Sequence, residues 1–240
     1  TDGLADLAGR WPSAPPKLAS GTNGSYKLVR VGAADWSSLR GPYEALQKQV
    51  YEPARQDDFD AFTALVSEPD TIVFAIMWTG PQKPASPTQG STPAAATVKQ
   101  GTVVAACIGF ALEHAASLDG PRQDPSLGRG ETIYSADLTV HPDHRGQGLG
   151  RTLKEALIAA AIGHKRADGT PRFAFMTGRN RVGAADAMAT LNATYGGWIV
   201  TRFHGQYGEP DAQTDYYRIP LTFPRLPPAA LVQPWPGGQG

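Results

Sequence analysis

Apolar and polar positions alternate along the chain with two distinct periods, and the changes of period divide it into short elements. Residues 26–31 (YKLVRV) repeat every second position and predict a strand. Helices are predicted over 36–51 and 56–66, the second carrying Phe59, Phe62, Leu65 and Val66 at helical spacing. Residues 71–78 and 103–112 are almost continuously apolar, which suits buried strands. A further strand over 133–140 stops at His141-Pro142, because proline cannot donate to a ladder. Residues 148–164 place Leu149, Leu153, Leu157, Ala160 and Ala161 on one helical face. A strand over 172–176 and a helix over 184–195 follow, the helix aligning Ala184, Met188, Leu191 and Tyr195. Strands over 197–205 and 215–221 complete the order. Strand, two helices, three strands, helix, strand, helix and two strands imply a mixed sheet with helices on both faces.

Composition adds boundaries to this picture. The chain has 27 glycines and 21 prolines in 240 residues, and the prolines cluster. They mark a Pro-rich arm over 1–25, an insertion over 81–100 and a Pro/Gly-rich tail over 222–240, leaving 26–221 as the domain. The insertion is rich in Pro, Ala, Ser and Thr without aromatics and reads as an exposed, mobile hairpin connection. The tail reads either as an ordinary extended segment or as a polyproline ligand.

Charge and cysteine usage narrow the function classes. Lys and Arg number 22 and so do Asp and Glu, so no global field attracts nucleic acid or an anionic membrane. The apolar runs are shorter than the ~20 residues of a membrane helix, and residues 1–25 lack the basic and apolar regions of a signal peptide. A cytoplasmic protein is expected. The single cysteine, Cys107, lies in an apolar strand and reads as a buried thiol. His141 and His144 flank a proline turn without a third ligand nearby, so an exposed-loop role is expected and no metal. The neutral total conceals a basic segment: residues 145–181 hold eight basic residues against Glu155 and Asp168. Either a polyanionic cofactor or a solvated helix face, the latter for Lys154 and Lys165, explains it.

The segment DLTVHPDHRGQGLGR, residues 137–151, carries the chemistry. A strand ends, proline stops it, and a basic glycine-rich turn opens into a helix, where free amides and the helix dipole suit a phosphate. No Lys follows these glycines as a Walker A motif requires, and Arg151 occupies the sixth place of G-x-G-x-x-G counted from Gly146. The pattern that fits is R-x-x-G-x-G, through Arg145, Gly148 and Gly150. With the phrase before it, it resembles the signature of the GNAT superfamily of acyl-CoA-dependent N-acyltransferases. The resemblance is specific over 133–198 and topological elsewhere in 26–221.

The resemblance implies an α/β (α+β) fold with a mixed, mostly antiparallel twisted sheet, splayed between the strands at 133–140 and 172–176. It implies acetyl-CoA or another acyl-CoA as co-substrate, held by Leu138, Val140, Arg145, Gly146, Gln147, Gly148, Leu149, Gly150 and Arg151. The backbone of Val140 would meet the acyl carbonyl, while Asn180 and Asn192 would line the pantetheine arm. Asn180 also suits a helix cap. Many relatives place a tyrosine five residues before the position of Trp198 as general acid; here Ala193 stands there, with Tyr195 two residues on.

Acyl transfer to an amine requires a proton acceptor, because a free alkylamine has a pKa of ~10.4. Asp137 and Glu131 are the candidate bases and Tyr195 the candidate acid, each with a purely structural alternative. Asp57, Asp58 and Asp60 either attract a cationic amine or form the polar face and start of a helix. The expected partners are a coenzyme A thioester and an amine-bearing small molecule or peptide, with a homodimer admitted and neither nucleic acid nor membrane. A non-catalytic acyl-CoA-binding regulatory or accessory domain is the alternative.

Overall fold

The computed structural model describes residues 26–80, 101–205 and 209–221. The arm at 1–25, the insertion at 81–100 and the tail at 222–240 lie outside the described residues. Among the described residues seven strands and four α-helices follow the predicted order. They are β1 (Tyr26–Val31), α1 (Trp36–Val50), α2 (Phe59–Val66), β2 (Ile72–Trp78), β3 (Val103–Ala111), β4 (Thr132–Val140), α3 (Leu149–Gly163), β5 (Phe175–Arg181), α4 (Asp186–Thr194), β6 (Trp198–His204) and β7 (Gln213–Pro220). The sheet order is β1-β2-β3-β4-β5-β7-β6. The described residues divide into two units, one of 26–80, 101–108 and 137–157, the other of 109–136, 158–205 and 209–221. Among the described residues no helix is long and apolar enough to cross a membrane.

In the first unit β1 pairs antiparallel with β2, from Tyr26↔Trp78 to Val31↔Val73. Every residue of β2 but Met77 is buried, which is why the strand reads as a continuous apolar run. Helix α1 buries Trp36, Leu39, Tyr43, Leu46 and Gln47, and it contains Pro42. The expected helix at 56–66 starts later, at Phe59, because Asp58 caps it: its carboxylate accepts from the amides of Asp60 and Ala61 at 2.9 and 3.1 Å. Phe59 then stacks on Trp36 and meets Tyr43 edge-on at 5.2 Å. The acidic cluster is thereby dispersed. Asp58 caps, Asp60 pairs with Arg40 at 2.6 Å, and Asp57 exchanges hydrogen bonds with the buried Gln47 amide.

In the second unit β5 pairs parallel with β4 over four positions, from Thr132↔Phe175 to Ser135↔Gly178. The ladder stops there, although β4 runs on to Val140 and β5 to Arg181. Strand β5 begins at Phe175 rather than at residue 172, because the approach is used up in a turn. Lys165 bridges Pro171, Arg172 N–H donates to His164, and Ala174 N–H donates to the Glu131 carbonyl at 2.7 Å. Helix α4 starts at Asp186, and Ala184 is exposed rather than part of its buried face.

The long connection between β3 and β4 is anchored by Asp124, whose carboxylate is fully buried. It accepts from the Tyr216 hydroxyl at 2.6 Å, from the Ser126 amide at 2.8 Å and from Arg218. Gly120 crosses the Tyr216 ring so closely that a Cβ would lie 2.7 Å from it. Removing one partner of a buried ion pair strands the other charge. Asp124→Ala is therefore expected to cost about 3–5 kcal/mol, lowering the melting temperature by on the order of 10 °C in a thermal scan.

Candidate active site

Strand β4 sets up the glycine-rich loop. His141 N–H donates to the Val104 carbonyl at 2.8 Å, holding the exit of β4, and His141 Nδ1 accepts from the Asp143 amide across a short 3-10 turn, Pro142–His144. His144 lies 2% exposed, its Nδ1 3.0 Å from the Tyr26 hydroxyl and its ring 5.2 Å from that of Trp78. The expectation of an exposed-loop role therefore fails for His144, an anchor under the loop. The cause is the turn, which brings the residue back against β1 and β2.

The chain then passes through Arg145, Gly146, Gln147 and Gly148, all exposed. Gly146 and Gly148 take φ of 73° and 76°, and a Cβ on either would meet nothing within 4 Å. Backbone conformation, rather than lack of space, requires these glycines. Gly150 belongs to the first turn of α3, while Leu149 anchors that turn, 2% exposed. The bond from Thr152 N–H to the Gly148 carbonyl is 3.0 Å, so the amides of Leu149, Gly150 and Arg151 precede the helical ladder and point out of its end. Such an end attracts an anion.

The basic segment is less uniform than its sum. Lys154 is 1% exposed, which excludes the solvated-face reading for it. Arg151 lies 3.7 Å from Glu155, Arg179 donates to the Tyr134 hydroxyl at 2.9 Å, and Arg181 pairs with Glu209. Arg145, exposed beside Gly146, remains at the loop itself.

Along the end of β4, side chains alternate. Asp137 and Thr139 are buried, whereas Leu138 and Val140 are half-buried. The carboxylate of Asp137 accepts from the Tyr43 hydroxyl at 2.5 Å and from Tyr51 at 3.2 Å. Thr139 Oγ1 lies 2.8 and 2.9 Å from its two oxygens and 3.1 Å from the Tyr51 hydroxyl. Burial pushes Asp137 above the ordinary carboxylate range, and the bonds from Tyr43, Gln47, Thr139 and Tyr51 oppose that rise. Burial raises Tyr43 and Tyr51 as well, and the adjacent carboxylate adds to the effect. No local sequence signal connects these partners; the one hint was a glutamine and a tyrosine on the buried face of α1.

The remaining candidates lie in the second unit. Glu131 is a loop acid, 3.4 Å from the Ser126 hydroxyl and 3.9 Å from Arg129. Asn180 and Asn192, 7% and 3% exposed, line an open pocket with Ala193, Trp198, Asp215 and Tyr217. Both amide atoms of Asn192 lack a hydrogen-bond partner among the described residues. Tyr195 is buried at the C-terminal end of α4, and Ala193 is exposed.

A mixed open sheet whose fourth strand runs into a glycine-bearing loop at a helix start is the architecture that the sequence resemblance implies. The model of the acetyltransferase (GNAT) family matches residues 43–177, more than half of the chain. The chain belongs to that family. Among solved structures, Arabidopsis thaliana NAA60 in complex with acetyl-CoA superposes with a TM-score of 0.53 at 14% identity, covering 82% of this chain and 98% of that one. The ribosomal-protein-S18-alanine N-acetyltransferase of Escherichia coli gives 0.52 at 15% identity, covering 83% and 96%. At such identity these likenesses speak for the fold. No curated protein matches the sequence significantly.

Cys107 is fully buried in β3, and desolvation pushes its thiol up to about 12. The native protein is therefore expected to give no reaction with Ellman's reagent at about pH 8, and one equivalent after denaturation.

Proposed function

We propose that the protein transfers an acyl group, most simply acetyl, from acetyl-CoA to a primary amine of a small molecule or peptide by direct attack. The carrying observation is the loop after β4: two glycines held at positive φ, an exposed Arg145, and three amides at the start of α3. This donor set fits a diphosphate, which needs several N–H groups and positive potential at one place. By the family resemblance Asn192 would line the amide-bearing arm, and its side chain, buried with no hydrogen-bond partner among the described residues, has a donor and an acceptor to offer. Leu138 and Val140, half-buried on the face of β4 opposite Asp137, supply backbone at the strand end.

In the reaction the amine nitrogen bonds to the thioester carbonyl carbon, the carbon–sulfur bond breaks with its electron pair on sulfur, and the amine gives up a proton. Asp137 is the favoured store for that proton, because it stands on the strand that leads into the loop, whereas Glu131 is engaged in its own connection. Tyr195 is buried and is assigned packing rather than proton donation. Ala193, exposed where relatives carry a tyrosine, favours a second reading, an acyl-CoA-binding domain without turnover.

Calorimetry with acetyl-CoA, followed by thiol release with a panel of amines, separates the two: binding with turnover supports the enzyme, and binding without turnover supports the accessory domain. Gly148→Glu, which sets a carboxylate at the anion site and a side chain at φ 76°, is expected to abolish acetyl-CoA binding in a protein with a normal circular dichroism spectrum. Retained binding in that folded variant would refute the site.

A further inference from the structure

The Asp137 carboxylate is enclosed by side chains from several elements. Tyr43 and Gln47 come from α1, Tyr51 from the segment after it and Thr139 from β4 itself, while Asp57, Cys107 of β3 and Lys154 of α3 act on this cluster electrostatically. Of the residues bonded to the carboxylate, Tyr43 and Gln47 are 0% exposed and Thr139 is 1% exposed. Tyr51 alone among these four is half-buried, with Arg55 lying over its ring at 5.1 Å. An acceptor amine therefore has no direct path to the carboxylate through Tyr43, Gln47 or Thr139. The Tyr51 hydroxyl, 3.2 Å from Asp137 and 3.5 Å from the Leu138 carbonyl, stands between the buried acid and the backbone at the end of β4.

We propose that Tyr51 is the catalytic residue that takes the proton from the attacking amine, with Asp137 as the positioning residue and proton store behind it. The inference rests on the acyl-transfer reading. The amine arrives near neutral pH as an ammonium, and its proton passes to the Tyr51 oxygen while the Tyr51 proton passes to Asp137. The freed nitrogen then bonds to the acyl carbon, and as the carbon–sulfur bond breaks the second nitrogen proton goes to the leaving sulfur, giving the thiol and the amide. Tyrosine stays neutral throughout, so no tyrosinate is formed in a site where burial disfavours it. Asp137 afterwards returns its proton to solvent by the reverse path. Thr139, within 3.1 Å of both partners, fixes the geometry of the exchange.

The test uses the full chain, acetyl-CoA, and whichever of an unblocked alanine tripeptide, lysine or spermidine the wild type acetylates, from about pH 6 to 9.5. Tyr51→Phe is expected to bind acetyl-CoA with unchanged Kd and to lose about 100-fold in kcat near pH 7. The loss shrinks toward high pH, where the amine arrives deprotonated, a convergence that a packing role would not give. Asp137→Asn is expected to show the same pH-dependent loss wherever it folds. Undiminished kcat in Tyr51→Phe, or an equal loss at every pH, overturns the relay and leaves acetyl transfer standing. No turnover by the wild type with any of the three amines overturns both.

Discussion

A carboxylate cannot be withdrawn from water without donors to replace the lost hydration, and much of the first unit is arranged around that demand at Asp137. The strand β4 carries the acid inward, α1 brings Tyr43 and Gln47 to it, and the segment after α1 returns Tyr51. Gln47 also grips Asp57 just before the cap of α2, so one buried polar network ties two helices to the strand that ends at the glycine-rich loop. The loop's position is thus a consequence of how the acid is satisfied. In the second unit Asp124 performs the equivalent task, fixing a long connection to β7 through Tyr216 and Arg218.

The loop itself follows a simpler logic. Two glycines accept positive φ where any other residue would be strained, and the space beside them is open. What they create is a set of outward amides at a helix end, fastened below by His144 against Tyr26 and Trp78. A rigid base and a permissive rim suit repeated binding and release of a charged co-substrate.

Element order and type were legible along the described chain, and so were the loop and the buried thiol. Boundaries drifted where capping or turns competed with periodicity: Asp58 delayed α2 to Phe59, and the turn over 164–174 delayed β5 to Phe175. Charge was the least transferable signal. Lys154, for which a solvated helix face is one of two readings, is buried, and of the two readings of Asp57, Asp58 and Asp60 the structural one holds, through three separate bonds.

By itself the sequence determined the class of fold, the glycine-rich loop between strand and helix, and the family, because period, proline stops and glycine spacing are local properties that survive in one dimension. Only the tertiary structure decided which residues meet Asp137, since Tyr43 and Tyr51 lie 94 and 86 positions away and nothing local marks them as its partners. It also decided that Asn192 is buried with neither amide atom bonded among the described residues and that His144 sits beneath the loop. Hydrogen-bond partners are chosen by packing across elements, and packing is fixed only when the chain has closed on itself.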